Sequence, residues 1–491
     1  MKLTFILVPC IVLAQTFTPA PPACSVPNVP FLDATASVCP ATAVHPPGQL
    51  TPPPAGATYV DPLFGATVRV ATGRGFIHTY STPSALSATG KHVATGDAGA
   101  SRIFRVADGT DLGKFGPSQD WGFWWHTSDD SKFFTLESDK FYARDLAGAK
   151  TLVLNPPALG LTSLRTGGTG DLSRDHWVAF WAGAQVCIAP LDSTQRVWCV
   201  ADTWSQLKDF LLISKGVDAH TGKRYVAIEN SGVVLQFDGQ ALTLAYVPQE
   251  HPDARTWSRG DGDGICEPNE WCKNAQWDHA DTVEIAGAQY IWSDYETESG
   301  PPNRYLALYD FTDPTTTPVR ILSTGNHSPY GAFNNGDTHF SCARTVPVCS
   351  AGFTYRRISI ADYNAGNFAA FDAPMAWNGE LMAFDLSFTP VKVSRLAQNR
   401  SVRWLDFNED YASMTKASIS PDGQWIAAIS NFGYPSTAYP GTPADTRRDI
   451  VVATKAAPVQ PPPPPPPPDP VPPPVPTPTP TCTCTCACTM K

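Results

Sequence analysis

The densest group of potentially reactive side chains in this sequence is a short acidic loop. Asp261 and Asp263 alternate with glycine, and Glu267 and Glu270 follow closely. Carboxylate oxygens gathered on a tight turn are the ligands that Ca²⁺ prefers, and the backbone carbonyl of Ile265 would add one more. The loop therefore predicts a calcium site with a structural role. The alternative is an acidic loop that only faces solvent.

This loop resembles the calcium-binding loops of EF-hand proteins, with two differences. Its last acidic residue comes earlier than in that pattern, and no helical pattern flanks it. Cys266 and Cys272 lie within and just after the loop, and a disulfide between them would stiffen the turn.

Three histidines occupy similar places in three different repeats. His78, His279 and His327 each precede a turn and a β-rich segment, where an innermost strand is expected to begin. Neutral imidazoles bind transition metals or serve as acid and base. Asp278 and Asp281 flank His279 and would set its tautomer or share its metal. The alternative is that each histidine only satisfies hydrogen bonds of its own strand.

Other side chains with binding chemistry fall at the equivalent place in the remaining repeats. Arg165 would neutralise a substrate carboxylate, and Asp209 occupies the same place in the next repeat. Trp124 or Trp125 would stack on the face of a sugar, and Tyr411 is a further ligand-binding candidate. Together with the three histidines, these positions predict a ligand-binding mouth.

The strands that must position these residues repeat along the chain. Two neighbouring strands near the end of each repeat can be aligned. The first member of this pair occurs seven times, at 102–107, 140–146, 185–191, 232–237, 304–311, 379–386 and 447–453. Six of them are followed by a second apolar strand, but the seventh runs into polyproline. Residues 66–72 resemble the second strand at 318–322 and would supply the missing one. The pattern predicts an all-β fold, a seven-bladed β-propeller closed by an N-terminal strand.

A turn signature supports this fold and carries a family resemblance. Its clearest copy runs from Ser420 through Asp422 and Gly423 to Trp425, and it resembles the repeat of TolB-like, WD40-like propellers. The segment beginning at Asp61 resembles the entry segment of secreted relatives, and the resemblance covers about residues 58–455. The predicted histidine mouth also resembles the funnel of propeller polysaccharide lyases of the oligogalacturonate lyase type. That likeness implies catalysis with histidine and a metal.

Both ends of the chain differ from the repeats. Residues 1–14 have the pattern of a signal peptide, and 15–57 form a Pro-rich segment before the propeller at 58–456. Residues 457–491 are polyproline followed by alternating cysteines, which would attach or cross-link the protein or remain an unstructured tail. We expect secretion to an extracellular, periplasmic or cell-surface location. Four cysteine pairs are expected: 24–39, 187–199, 266–272 and 342–349.

Charge and motifs limit the range of functions. A net charge of −10 without any basic run argues against nucleic acid as a partner, and no segment is long and apolar enough to be transmembrane. The sequence lacks the Gly-x-Ser-x-Gly, His-Glu-x-x-His and phosphate-loop motifs. Two functions remain. One is a ligand-recognition or interaction module that binds a glycan or a protein. The other is a carbohydrate-active enzyme, a polysaccharide lyase.

Overall fold

The computed structural model describes most of the repeating region. The described residues are 50–97, 100–117, 122–165, 170–203, 210–229, 232–246, 278–297, 303–312, 319–323, 338–353, 379–388, 391–404, 414–433 and 447–454, with short pieces at 29–30, 257–258, 272–273, 355–358 and 361. All of them belong to one compact unit, Met1–Thr454. Within these residues, no helix is long and apolar enough to span a membrane.

Seven antiparallel sheets follow one another along the chain and form the seven blades of a propeller. Blade 1 contains His92–Asp97, Ala100–Arg105 and Thr110–Pro117. Blade 2 contains Phe123–Trp125, Lys132–Glu137, Lys140–Asp145 and Lys150–Leu154. Blade 3 contains Leu164–Arg165, Trp177–Ala182, Gln185–Pro190 and Trp198–Ala201. Blade 4 contains Leu211–Ile213, Arg224–Ile228, Val233–Phe237 and Leu242–Tyr246.

The remaining blades complete the ring. Blade 5 contains Asp278–Ile285, Ala288–Thr297, Asn303–Asp310 and Val319–Ser323. Blade 6 contains Thr338–Cys342, Val348–Phe353, Glu380–Asp385 and Lys392–Gln398, with Val29–Pro30 on its outer edge. Blade 7 contains Ser418–Ile419, Trp425–Ser430, Arg448–Ala453, Thr67–Val70 and Thr58–Val60. Outside the blades lie the pair Trp257–Ser258 and Cys272–Lys273, the pair Tyr355–Ile358 and Val402–Trp404, and a 3₁₀ turn at Pro156–Leu159.

The N-terminal strand closes the ring, as the sequence predicted. Val68 lies opposite Val452, and Val70 lies opposite Ile450, in antiparallel register. Both valines are fully buried, so the strand fills the outer part of blade 7 and covers an edge that would otherwise stay unpaired. Asp61 adds a tie between blades, because its carboxylate accepts a hydrogen bond from the Gln398 amide of blade 6 at 3.0 Å.

Described residues before position 58 also pack on the ring. Leu50 is buried, and its amide donates to the carbonyl of Phe432 at 3.2 Å. The Pro53 carbonyl accepts a hydrogen bond from Arg448 of blade 7. The boundary between the Pro-rich segment and the propeller remains a prediction, but the last residues of that segment contact blade 7.

Two predicted disulfides are confirmed, and each joins directly opposite residues of neighbouring strands. Cys187 pairs with Cys199 in blade 3, and Cys342 pairs with Cys349 in blade 6. The pairs 24–39 and 266–272 lie outside the side chains that the structure describes, so they remain predictions.

The turn signature has a clear physical basis. In blade 7 the Ser420 hydroxyl donates to the Asp422 carboxylate and accepts from the Trp425 amide, which holds the turn closed. Gly423 follows with φ of +73°, a conformation that favours glycine. Because strands alternate in direction, all turns from a first to a second strand share one face of the ring, which we call the turn face. The connections from one blade to the next share the opposite face, the connection face.

Candidate functional site

The centre of the ring, which we call the hub, contains a buried network of four charged side chains from four blades. Arg344 of blade 6 contacts Asp171 of blade 3, with Nε 3.0 Å from Oδ2. Lys215 of blade 4 lies 3.2 Å from Asp171 and 3.0 Å from Asp281 of blade 5. All four side chains are at least 95% buried. Two positive and two negative charges therefore balance one another away from water.

Local structure places these groups at the hub. Arg344 comes two residues after the innermost strand of blade 6, and its amide donates to the Pro421 carbonyl of blade 7 at 3.0 Å. Its side chain also donates to the Trp125 carbonyl of blade 2 at 2.5 Å. The Asp281 carboxylate accepts the Cys342 amide at 2.6 Å. The network thus joins blades 2 to 7 through side-chain and backbone contacts.

The two carboxyl groups of this network differ in acidity. Burial alone would raise the pKa of Asp171, but Arg344 and Lys215 outweigh it and lower that pKa to about 2. Burial dominates at Asp281 and raises its pKa, because Lys215 only partly offsets the loss of water and Asp171 adds repulsion. Asp171 is therefore the anion on which both cations depend.

His78 is engaged on every side within the fold. It is fully buried, and its Nδ1 lies 2.7 Å from Asp449 Oδ1 of blade 7. Its amide donates to Asp449 Oδ2 at 2.9 Å, and its Nε2 contacts the carbonyl of Lys416. Lys416 in turn donates to the Thr79 carbonyl at 2.6 Å. His78 joins blade 1 to blade 7 through these contacts, and its predicted catalytic role remains untested.

Trp124 and Trp125 lie in the core of the structure. Both are fully buried, and their indole N–H groups donate to the carbonyls of Gly170 and Ala85, at 2.8 and 2.9 Å. Each indole therefore ties blade 2 to a neighbouring blade, and neither presents an open face for a sugar here. Arg165 is exposed at the end of the first strand of blade 3, opposite Trp181.

The other predicted site residues cannot be placed in detail. His279 belongs to the first strand of blade 5, where a bulge interrupts the register between Asp278 and Asp281, but its side chain is not described. The remaining predicted residues lie outside the described residues: Asp209, His327, Tyr411, Asp261, Asp263, Ile265, Glu267 and Glu270. The histidine cluster and the calcium loop therefore remain predictions. Among the described side chains, no group of three His, Cys, Asp or Glu is arranged to hold a metal.

A contact between two other histidines was not predicted from the sequence. His126 of blade 2 and His176 of blade 3 are half-buried on the turn face, with ring centroids 4.1 Å apart. The Ser128 amide donates to His126 Nδ1, and the Thr127 amide donates to His176 Nε2, both at 3.3 Å. One signal was available: His176 follows Asp175 as glycine follows aspartate in the blade 7 turn.

The turn face is braced by ion pairs between blades. Arg174 of blade 3 lies 2.6 Å from Glu284 of blade 5, and this pair crosses Gly216 of blade 4. Asp175 of blade 3 lies 2.6 Å from Arg224 of blade 4. The side chains of these turns are thus used to hold the ring together.

The chain was compared with family models, curated protein sequences and solved structures. No family model and no curated protein sequence matches this chain. Among solved structures, it is similar to the Dos1 propeller, with 11% identity and a TM-score of 0.37 over 78% of this chain and 95% of that one.

Two other structures are similar to the same extent. Virginiamycin B lyase from Staphylococcus aureus has 10% identity and a TM-score of 0.38 over 79% of this chain and 98% of that one. The WD40 domain of SCAP from fission yeast has 9% identity and a TM-score of 0.31 over 79% and 86%. On the strand order of its own sheets, the chain is a seven-bladed β-propeller.

Proposed function

We propose that this chain is a secreted β-propeller that recognises a ligand and does not transform it. The main observation in support of this proposal is that the charged groups of the hub network are used within the ring. Arg344, Lys215 and both aspartates neutralise one another, so these groups serve the rigidity of the ring. Three described members of the predicted mouth, His78, Trp124 and Trp125, are likewise engaged in contacts between blades.

The connection face is the proposed recognition surface. On the turn face, described side chains such as Arg174 and Asp175 already bind neighbouring blades. The segments at 247–277, 324–337 and 405–413 join the last strand of one blade to the first strand of the next. In the sequence, these segments contain the acidic loop, His327 and Tyr411, and the proposal includes them for that reason. Loops on a rigid scaffold are where binding residues concentrate in most proteins.

The proposed ligand is a glycan or a protein. The acidic net charge of −10 suits a neutral sugar or a soluble partner better than a polyanion. Two disulfides are consistent with an oxidising, extracellular environment. We further propose that the acidic loop binds calcium and stabilises the connection between blades 4 and 5. The Cys-rich tail is proposed to attach the protein to a surface.

One experiment separates recognition from the polysaccharide lyase alternative. The purified protein would be applied to a glycan array, and the same glycans would be followed for ultraviolet absorbance of unsaturated products. We expect binding without product. His279→Ala should weaken binding, whereas His220→Ala, in an exposed turn of blade 4, should leave binding unchanged. Product formation that His279→Ala abolishes would establish the lyase and overturn the recognition proposal.

A further inference from the structure

His176 of blade 3 occupies the turn position that Gly423 occupies in blade 7. Its amide donates to the Ser173 carbonyl at 3.1 Å, as the Gly423 amide donates to the Ser420 carbonyl at 2.8 Å. His176 has φ of +63°, close to the +73° of Gly423. A side chain in this left-handed region is under strain that glycine avoids. Other described non-glycine residues, such as Ala286 and Phe432, also have positive φ, so the role of His176 is inferred from the contacts of its imidazole.

The strained ring packs on the imidazole of the neighbouring blade. His126 and His176 have ring centroids 4.1 Å apart, and Phe134 lies beside both, at 5.9 and 5.2 Å. Each imidazole accepts a backbone N–H through one nitrogen, from Ser128 and Thr127. An imidazole nitrogen accepts a hydrogen bond only while it carries no proton. The Thr127–His176 hydrogen bond joins blades 2 and 3 and requires a neutral His176, whereas the Ser128–His126 hydrogen bond lies within the blade 2 turn and requires a neutral His126.

The charges around the pair disfavour protonation. A charge on His126 would oppose protonation of His176, the positive charge of Arg344 acts on both rings, and that of Lys132 acts on His126. Two carboxylates act in the opposite direction, Asp129 on His126 and Asp175 on His176.

Both carboxylates are partly neutralised by other partners. Asp129 lies 2.9 Å from Lys132 and accepts from Ser131, and Asp175 lies 2.6 Å from Arg224. Burial, acting first, and then the nearby positive charges lower the pKa of His126 and bring that of His176 to about 4.

We propose that the His126–His176 contact is an acid-sensitive latch between blades 2 and 3. A proton from solvent adds to Nε2 of His176, which then faces the Thr127 N–H as a second donor. The hydrogen bond is lost, and the new positive charge lies beside His126 and is repelled by Arg344. The two rings separate, and this part of the turn face opens. Protonation of His126 at Nδ1 breaks the Ser128 hydrogen bond in the same way.

The direction of the pH effect follows from linkage. A histidine whose pKa is lower in the folded state contributes stability that is complete above its unfolded value, about 6.5. That contribution falls as pH drops from about 6.5 through the folded value. Most carboxylates titrate below this window, so the first acid-induced loss of stability should come from histidines. His92, half-buried against Trp125 with a pKa also lowered by burial, would add a smaller, separate part.

His176→Gly tests the latch, because glycine relieves the strain and removes the imidazole. At neutral pH the melting temperature should stay the same or rise. Between about pH 6.5 and 4.5 its decrease should be at least halved relative to the original chain. His126→Gln should halve it as well, whereas His220→Gly, in an exposed turn of the next blade, should not change it.

Hydrogen exchange gives a second measurement that does not depend on any variant. Protection of the Thr127 and Ser128 amides, corrected for the intrinsic pH dependence, should fall at least about tenfold over the same pH range. Unchanged protection would overturn the latch. So would a folded His176→Gly or His126→Gln variant that keeps the full acid response.

Discussion

Arg344 Nε lies 3.0 Å from Asp171 Oδ2, although 173 positions separate the two residues in the chain. Blade 6 supplies the arginine and blade 3 supplies the aspartate, so the pair crosses the hub from one side of the ring to the other. A ring of blades is held mainly by contacts between neighbours. This ion pair adds a direct link between blades that are not neighbours in the ring, and Lys215 extends it to blades 4 and 5.

Removal of one member of this network should be costly. Arg344→Met keeps much of the side-chain volume but leaves Asp171 with Lys215 as its only described cationic partner. Loss of one partner of a buried ion pair typically lowers the free energy of unfolding by about 3–5 kcal/mol. Urea unfolding at neutral pH would measure the loss. Arg105→Met is the control, because that arginine pairs with Asp108 at the surface and should change little. Equal effects of the two substitutions would refute the structural role of the hub pair.

The hub network should also affect how the stability of the protein depends on pH in acid. The pKa of Asp171 is about 2 in the folded protein, below its ordinary value near 3.9, because the two cations outweigh burial. Its stabilising contribution is therefore present above about pH 4 and is lost as pH falls through about 2. Asp171→Asn should be less stable at neutral pH and should show a flatter decrease between those values. Melting temperatures across this range test it, and a slope like that of the original chain would contradict it.

Ring closure predicts a large effect of a short deletion. Deleting residues 58–72 removes Val68 and Val70, each fully buried, and exposes the edge at 448–453. Burial of two valines alone is worth about 3–6 kcal/mol. The melting temperature should fall strongly, whereas deleting residues 458–491 should leave it unchanged. A 58–72 deletion that melts like the full chain would mean that the strand does not close the ring.

Gly170 should be far less tolerant than Gly216, although both lie near the hub. A Cβ at Gly170 would come 2.0 Å from the backbone carbonyl oxygen of Leu211, which cannot move without shifting blade 4. At Gly216 the nearest atoms are the ends of the Glu284 and Arg174 side chains, at 2.8 and 3.0 Å. We expect Gly170→Ala to cost about 1–3 kcal/mol and Gly216→Ala less. Chemical denaturation of both variants checks the order, and the reverse order would contradict the packing.

The calcium proposal has a direct test. A chelator should lower the melting temperature, and calcium at a hundredfold excess over its dissociation constant should restore about 2.7 kcal/mol. The double variant Asp261→Ala and Asp263→Ala should no longer respond to chelator. Asp238→Ala, in an exposed turn of blade 4, should respond like the original chain. If metal analysis of protein supplied with millimolar calcium finds none bound, the loop is not a calcium site.

The sequence by itself determined the architecture, because each part of that prediction depends on local patterns. Strand repeats, the turn at Ser420 and the apolar alternation around Val68 are readable over a few residues. The missing outer strand was predicted because only six of the seven aligned strands are followed by a second one. The pairing of the N-terminal strand with 447–453 confirmed this prediction. The cysteine pairs 187–199 and 342–349 were accessible for the same reason, since each spans a single hairpin.

Tertiary structure alone decided what the hub residues contact. Sequence spacing placed His78 and Trp125 at the starts of inner strands, but their partners are 371 and 40 positions away, at Asp449 and Ala85. Which face of a strand a side chain occupies changes with a single-residue shift in register, and spacing cannot fix that. The Arg344–Asp171 pair exists only because closing the ring brings blades 6 and 3 around one axis. Local physics thus specified the blades, and closure of the ring specified the charges that meet at its centre.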